Sequence, residues 1–181
     1  MRMQDRICND KQKIEGLLSS AKTGFLGLTN NDVPYVVPLN FVWYEGSIYF
    51  HGASEGKKVD FIKNNPVATF VISEFQGTMV SPIPANTDTA YLSVMLFGDI
   101  EIANNLSEAT NAMQALLDKY VAGYYNTPLS SQHVARYQSS LGSKTCIFKL
   151  NPTEITAKEN IKIEDQLYFQ GRNVSGETSS K

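Results

Sequence analysis

The feature that most constrains the fold is a crowded series of β-rich runs near the start of the chain, joined by turn chemistry. Gly24-Phe-Leu-Gly-Leu-Thr29, Tyr35-Val-Val-Pro-Leu-Asn-Phe-Val-Trp-Tyr44 and Ser47-Ile-Tyr-Phe-His51 are separated only by Asn30-Asn-Asp-Val-Pro34 and Glu45-Gly46. Asn-Asp clusters and a Glu-Gly pair tolerate the positive φ that tight turns demand, so the three runs predict an antiparallel meander. Pro38 interrupts the second run. A proline has no N–H for a ladder, which restricts it to an edge strand, a bulge, or a place where something other than a strand faces the backbone.

The rest of the chain adds strands and helices around this start. Ile14, Leu17 and Leu18 recur at helical spacing over residues 10–20, and Val59 and Ile62 do so over 56–65, where Pro66 stops the helix. Residues 67–73 and 91–102 predict two more strands. The segment between them, with Pro82, Pro84, Asn86 and Thr87, reads as a long irregular loop, a feature often tied to function in a compact domain. Ala109, Met113, Leu116, Leu117 and Tyr120 mark an amphipathic helix, and 143–150 alternates as a last core strand ended by Asn151-Pro152. Beyond Thr156 the chain turns polar, and its extreme tail is expected to be mobile. Adjacent strands with few helices between them favour an antiparallel sheet over a parallel α/β one, while propensity leaves sandwich and barrel undecided.

Composition then excludes several function classes. A chain of 181 residues with 42% hydrophobic and 19% charged residues suits one domain with one core. Its net charge of −2 supplies no broad field for a nucleic acid or an anionic membrane, so any anion site must be local. No run approaches the roughly 20 apolar residues of a membrane helix, and the polar start lacks the core of a signal peptide, which makes a cytoplasmic protein the expectation. Cys8 and Cys146 are too few for a disulfide framework and are expected to be reduced. No metal-ligand cluster, paired carboxylates or nucleophile elbow is present, so hydrolase and metal readings lose.

The sharpest local signal is His51-Gly-Ala-Ser-Glu-Gly-Lys-Lys58, a strand running through small residues into a helix start with two lysines. Free N–H groups, a positive dipole end and two cations can hold a phosphate, with Ser54 as a further donor. The spacing does not fit the P-loop. From the pattern alone, Lys57 and Lys58 are also readable as solvated surface charges. His51 is in the same position: a lone histidine at a strand end is commonly a structural hydrogen-bonder. His133, in a polar stretch, reads as a surface residue, and Trp43, Tyr44, Tyr49 and Phe50 read as core or interface packing.

Taken together, residues 35–44, Gly46-Ser-Ile-Tyr-Phe-His-Gly-Ala-Ser-Glu-Gly-Lys-Lys58 and Ile62-Lys-Asn-Asn-Pro66 resemble the signature of pyridoxamine 5'-phosphate oxidase-like FMN-binding split barrels, in particular the 5-nitroimidazole antibiotic resistance branch. The resemblance is strongest over 34–66 and extends more weakly from about residue 10 to 157. It implies a mainly β fold with peripheral helices, an antiparallel split β-barrel over residues 1–157 followed by a polar tail over 158–181. By the same resemblance Val37, Pro38, Leu39 and Asn40 line the isoalloxazine of FMN, and His51, Gly52, Ala53 and Ser54 lead to its phosphate, gripped by Lys57 and Lys58. It further implies a homodimer with flavin at the subunit interface, Tyr91 and Ser93 completing the pocket from the other chain, and His51 as a proton donor to a reduced substrate.

One departure matters. Val37 stands where pyridoxamine 5'-phosphate oxidases use an arginine, and the C-terminal substrate motif of those enzymes has no counterpart. The resemblance therefore implies a flavin-dependent reductase of small aromatic or nitro compounds drawing on a nicotinamide donor. A flavin- or haem-binding protein without turnover and a deazaflavin-dependent reductase are the alternatives.

Overall fold

A computed structural model describes residues 3–138, 142 and 144–175 of the chain. Seven strands alternate with four helices: α1 (Lys11–Ser20), β1 (Gly24–Asn30), β2 (Val33–Leu39), β3 (Val42–Tyr44), β4 (Ser47–Ala53), α2 (Lys57–Asn64), β5 (Val67–Met79), β6 (Asp88–Ile102), α3 (Leu106–Val121), α4 (Ser131–Ala135) and β7 (Thr145–Asn160). All strand pairings are antiparallel, in the order β2-β1-β5-β6-β7-β4-β3.

That order decides between sandwich and barrel. The two edge strands, β2 and β3, are joined only by Asn40 and Phe41. A flat sheet of seven strands would hold its edges about 29 Å apart, from six steps of about 4.8 Å. Leu39 and Val42 are three residues apart and cannot be separated by more than about 11 Å. The sheet must therefore roll up until its edges meet, and β2 and β3 do not pair, which leaves the barrel split. Leu26, Phe50, Phe70, Val94, Leu96 and Phe148, from five strands, accordingly pack into one interior. Phe41, fully buried, turns inward from the link and meets Phe70 edge-on at 5.0 Å between ring centroids.

Helix α1 starts where expected because Asp10 accepts hydrogen bonds from the Gln12 and Lys13 N–H groups. Asn105 caps α3 in the same way through Ser107 and Glu108.

Three expectations are corrected. The run 35–44 is two strands rather than one, since Phe41 leaves the ladder for the core and donates its N–H to the Tyr120 hydroxyl at 3.0 Å. The long irregular loop is largely a two-stranded arm: β5 continues to Met79 and β6 begins at Asp88, with a bulge between Phe75 and Gly77 that hides the alternation. The last strand does not stop at Asn151-Pro152. β7 passes through Pro152 to Asn160, beyond residue 157, by means of a bulge opposite Phe97 and Gly98. Gly98 is required there, because a Cβ would lie 2.0 Å from the Asn151 carbonyl oxygen. The first part of the polar tail makes its own contacts: Leu167 bridges Met79, and Tyr168 donates its N–H to the Thr78 carbonyl at 2.8 Å. The mobile end expected from sequence falls on residues 176–181, outside those described.

The outer surface of the rolled sheet has two unlike halves. Over β3, β4 and β7, the outward Val42, Tyr49 and Ile147 are covered by Ala109, Ala112, Met113 and Leu116 of α3. Over β2, β1, β5 and β6 the register sets Pro38, Phe25, Val71 and Met95 in one row, and no helix among the described residues covers them. Phe25 stays 47% exposed and Val36, one step away, 63%. No helix among the described residues is long and apolar enough to cross a membrane.

Candidate functional site

Two segments singled out by sequence come together through α2. This helix begins at Gly56, whose side-chain-free position offers no cap, so the Lys57 and Lys58 N–H groups open the helix without a side-chain partner. Lys57 lies over the Tyr35 ring of β2, with Nζ 5.1 Å from its centroid, and over Phe61 at 5.7 Å. Lys58 turns the other way, over Phe50 of β4 at 5.3 Å and Phe148 of β7 at 5.5 Å. Helix α2 thus spans the split, touching the β2 edge with one lysine and the far side of the barrel with the next. Neither ammonium forms an ion pair among the described residues.

The two lysines differ in environment. Lys57 is exposed, whereas Lys58 is half-buried and its pKa is lowered by that burial. Its Nζ would sit 2.7 Å from a Cβ placed on Gly52, so the glycine leaves the room the ammonium uses. The two ammonium groups rest on separate ring pairs, so a single anion held by both requires one lysine to swing.

His51 faces the opposite side of β4 from Gly52, as strand alternation demands. The residue is exposed, yet protein crowds around the imidazole. That crowding lowers its pKa from the ordinary imidazole value, and the Lys58 charge lowers it further. Neutral imidazole is therefore the resting form near pH 7. Ala53 is exposed and Ser54 half-buried; the Ser54 N–H donates to the Lys144 carbonyl at 3.0 Å, which fixes the strand end.

Along β2 the four expected ring-lining residues divide by alternation. Val37 and Leu39 turn inward against the core, while Pro38 and Asn40 are exposed. Only the outward pair can present side chains to a ligand on the sheet's outer face, and Val37 and Leu39 can contribute backbone groups alone. Pro38 sits on an edge strand, as the missing N–H requires.

Tyr91 and Ser93 are on the outer face of β6 and are not brought to β2. Three strand steps separate β2 from β6 in the sheet, about 14 Å at the usual spacing. Ser93 pairs across to Ser73 and Lys158, and Tyr91 to Phe75 and Asn160.

Sequence reasoning missed the contacts of two residues near this region. Tyr137 packs edge-on against His51 with centroids 6.4 Å apart, and His133, exposed as expected, lies 5.8 Å from Tyr137. Both belong to a five-residue helix and its exit, too short for periodicity to reveal. The Tyr120 hydroxyl was also not singled out. It takes the Phe41 N–H and donates to the Lys22 carbonyl at 2.5 Å, tying α3 to the link between the barrel edges.

These features define an antiparallel split barrel whose edge strand and basic helix start lie beside an uncovered sheet face. The profile of the family described as Pyridoxamine 5'-phosphate oxidase matches residues 10–159, and the chain belongs to that family. Among curated proteins there is no match. Solved structures share the fold. A candidate 5-nitroimidazole antibiotic resistance protein from Bacteroides thetaiotaomicron is 23% identical with a TM-score of 0.65, over 84% of this chain and 85% of that one. The flavocytochrome Anf3 of Azotobacter vinelandii is 19% identical with a TM-score of 0.73, over 92% and 76%. A FAD and haem binding protein of Mycobacterium smegmatis is 16% identical with a TM-score of 0.70, over 88% and 77%. At these identities the likeness is one of fold.

Proposed function

We propose that the chain is an FMN-binding homodimer that acts as a reductase of small aromatic or nitro compounds, of the nitroimidazole-resistance type. The observation that carries this reading is the meeting, through α2, of a basic uncapped helix start with an edge strand whose outward residues border a bare apolar sheet face. A flavin mononucleotide has the matching parts: a dianionic phosphate, a flat apolar ring, and one polar ring edge. N–H groups at the start of α2 with Lys57, Lys58 and Ser54 suit the phosphate. The outward side of β2, with Asn40, suits the polar edge.

The separation of β2 from Tyr91 and Ser93 supports a dimer. Within one chain they are too far apart to enclose one ring, so those residues would serve the pocket of the second copy, and the row Pro38, Phe25, Val71 and Met95 would be the shared face. When bound, the flavin supplies the redox chemistry. The chain's own work is to bind its phosphate, hold the ring flat against β2, and exclude water with the apolar row. Neutral His51 would hydrogen-bond an acceptor. A proton donated by it would be available only below its lowered pKa, so a His51-dependent step should weaken as pH rises through that range.

Titration of the protein with FMN, read by quenching of flavin fluorescence, tests the cofactor. We expect saturation, with affinity reduced at least tenfold in the Lys57→Ala, Lys58→Ala double variant, because each lost charge-assisted bond costs about 1.5–3 kcal/mol. Unaltered affinity in that variant would remove the phosphate assignment. Bleaching of the flavin by reduced nicotinamide with a nitroaromatic acceptor supports turnover; bound flavin without it leaves a carrier, a Soret band on haem addition favours haem, and binding of a deazaflavin alone favours that cofactor.

A further inference from the structure

On the covered half of the sheet, apart from the strands proposed for flavin, α3, α4 and residues 125–130 line a half-open cavity of about 420 Å³. Small-molecule sites usually measure about 300–1,000 Å³. The body of the cavity is apolar, walled by Met113, Leu117 and Val134. At one end Ser130, His133 and Tyr137 face both this hollow and an open polar cleft that adds Gln132, Arg136 and Gln138. An apolar chamber therefore runs into a polar cleft holding one guanidinium, and Arg136 makes no ion pair among the described residues.

The lining specifies its occupant. A methionine thioether and the His133 and Tyr137 rings, 5.8 Å apart, favour a flat aromatic body, which gains edge and face contacts from each. At the polar end the guanidinium fork matches a carboxylate, and a hydroxyl and an imidazole beside it can satisfy the remaining lone pairs. A space of this volume exceeds the roughly 150 Å³ that holds one benzene ring, so two fused rings fit. We propose that the α3–α4 cavity binds a small aromatic carboxylate, its rings between Met113, Leu117 and Val134 and its carboxylate on Arg136. Tyr137, packed on His51 at 6.4 Å, is the wall between this site and the strand end that leads to the flavin phosphate. The site goes beyond the flavin reading and does not depend on it.

The test uses the full chain, naphthoate as the probe and naphthamide as its uncharged counterpart, with binding followed by calorimetry. Because the chain has 2 histidines, imidazole proton resonances can be followed alongside. The expected result is one saturable naphthoate site with a shift of the His133 signals. Arg136→Gln should weaken naphthoate at least tenfold and leave naphthamide unchanged. Leu117→Trp, which fills the chamber, should abolish both while FMN binding and melting temperature stay as in the parent. Saturating FMN should leave naphthoate affinity unaltered; competition between them would move the probe to the flavin pocket and overturn the proposal. Failure to saturate at millimolar naphthoate, or saturation indifferent to both substitutions, would also overturn it. Both failures leave the FMN titration untouched, so the two readings fall separately.

Discussion

The two halves of the barrel's outer surface are built from the same kind of strand and treated in opposite ways. Over β3, β4 and β7 the outward apolar residues are sealed by α3, and Tyr49 donates its hydroxyl to Glu108 at 2.6 Å while Lys149 pairs with the same carboxylate at 2.7 Å. Over β2, β1, β5 and β6 the row Pro38, Phe25, Val71 and Met95 has no such cover. Scattered exposed hydrophobics are ordinary, but a contiguous row on a sheet face marks a binding surface. The sealed half stabilises the monomer and borders its own cavity, and the open half would take the proposed second copy and a flat cofactor between them.

Substitutions on each half should behave differently. The largest effect is expected from Met113→Ala on the sealed half, which should cost about 2–5 kcal/mol of monomer stability in denaturant unfolding, the range for a truncated buried side chain. A loss below about 0.5 kcal/mol would mean that α3 does not seal the face. On the open half, Phe25→Asp should leave that stability nearly unchanged yet weaken dimerisation at least tenfold, about 1.4 kcal/mol or more, by sedimentation. Equal damage to monomer stability from both variants would erase the distinction. Tyr120→Phe tests the tie between the halves, since it removes the partner of the Phe41 N–H; about 1 kcal/mol of stability should go.

The last effect is one of pH, at the same tie. Lys119 lies 3.8 Å from the Phe41 ring centroid, and its pKa is pushed down to about 8 by burial and by the nearby Lys22 charge. Between that value and the ordinary lysine pKa the unfolded chain holds more protons than the folded one, so stability should rise with pH across this window. Below it both states are protonated and the burial cost is constant. Melting temperatures of the parent and Lys119→Met should converge or cross as pH rises from about 8 to 10; parallel curves would show that Lys119 titrates normally.

Much of the barrel was legible because hairpin chemistry and alternation are local signals. Asn30 to Pro34 and Glu45-Gly46 gave the turns, and the spacing of Ile14, Leu17 and Leu18 gave α1. What stayed hidden depended on residues distant in sequence. The break at Asn40-Phe41 is caused by a core position and by a hydroxyl from Tyr120. The strand through Pro152 exists only because Gly98, more than fifty residues earlier, lacks a side chain. At the candidate site, the helix start with Lys57 and Lys58 could be located from residue types and spacing. The inward turn of Val37 and Leu39 could have been read from period-two alternation, whereas the Tyr137 contact to His51 left no local mark.

The proposed dimer would join two copies through the uncovered sheet face, around a flavin. Sedimentation of the protein with one equivalent of FMN, recorded at flavin absorbance and at protein absorbance, addresses it directly. A single boundary at dimer mass in both channels is expected, with flavin released as Phe25→Asp dissociates the dimer. Flavin travelling with a stable monomer, or a dimer that carries none, would contradict it.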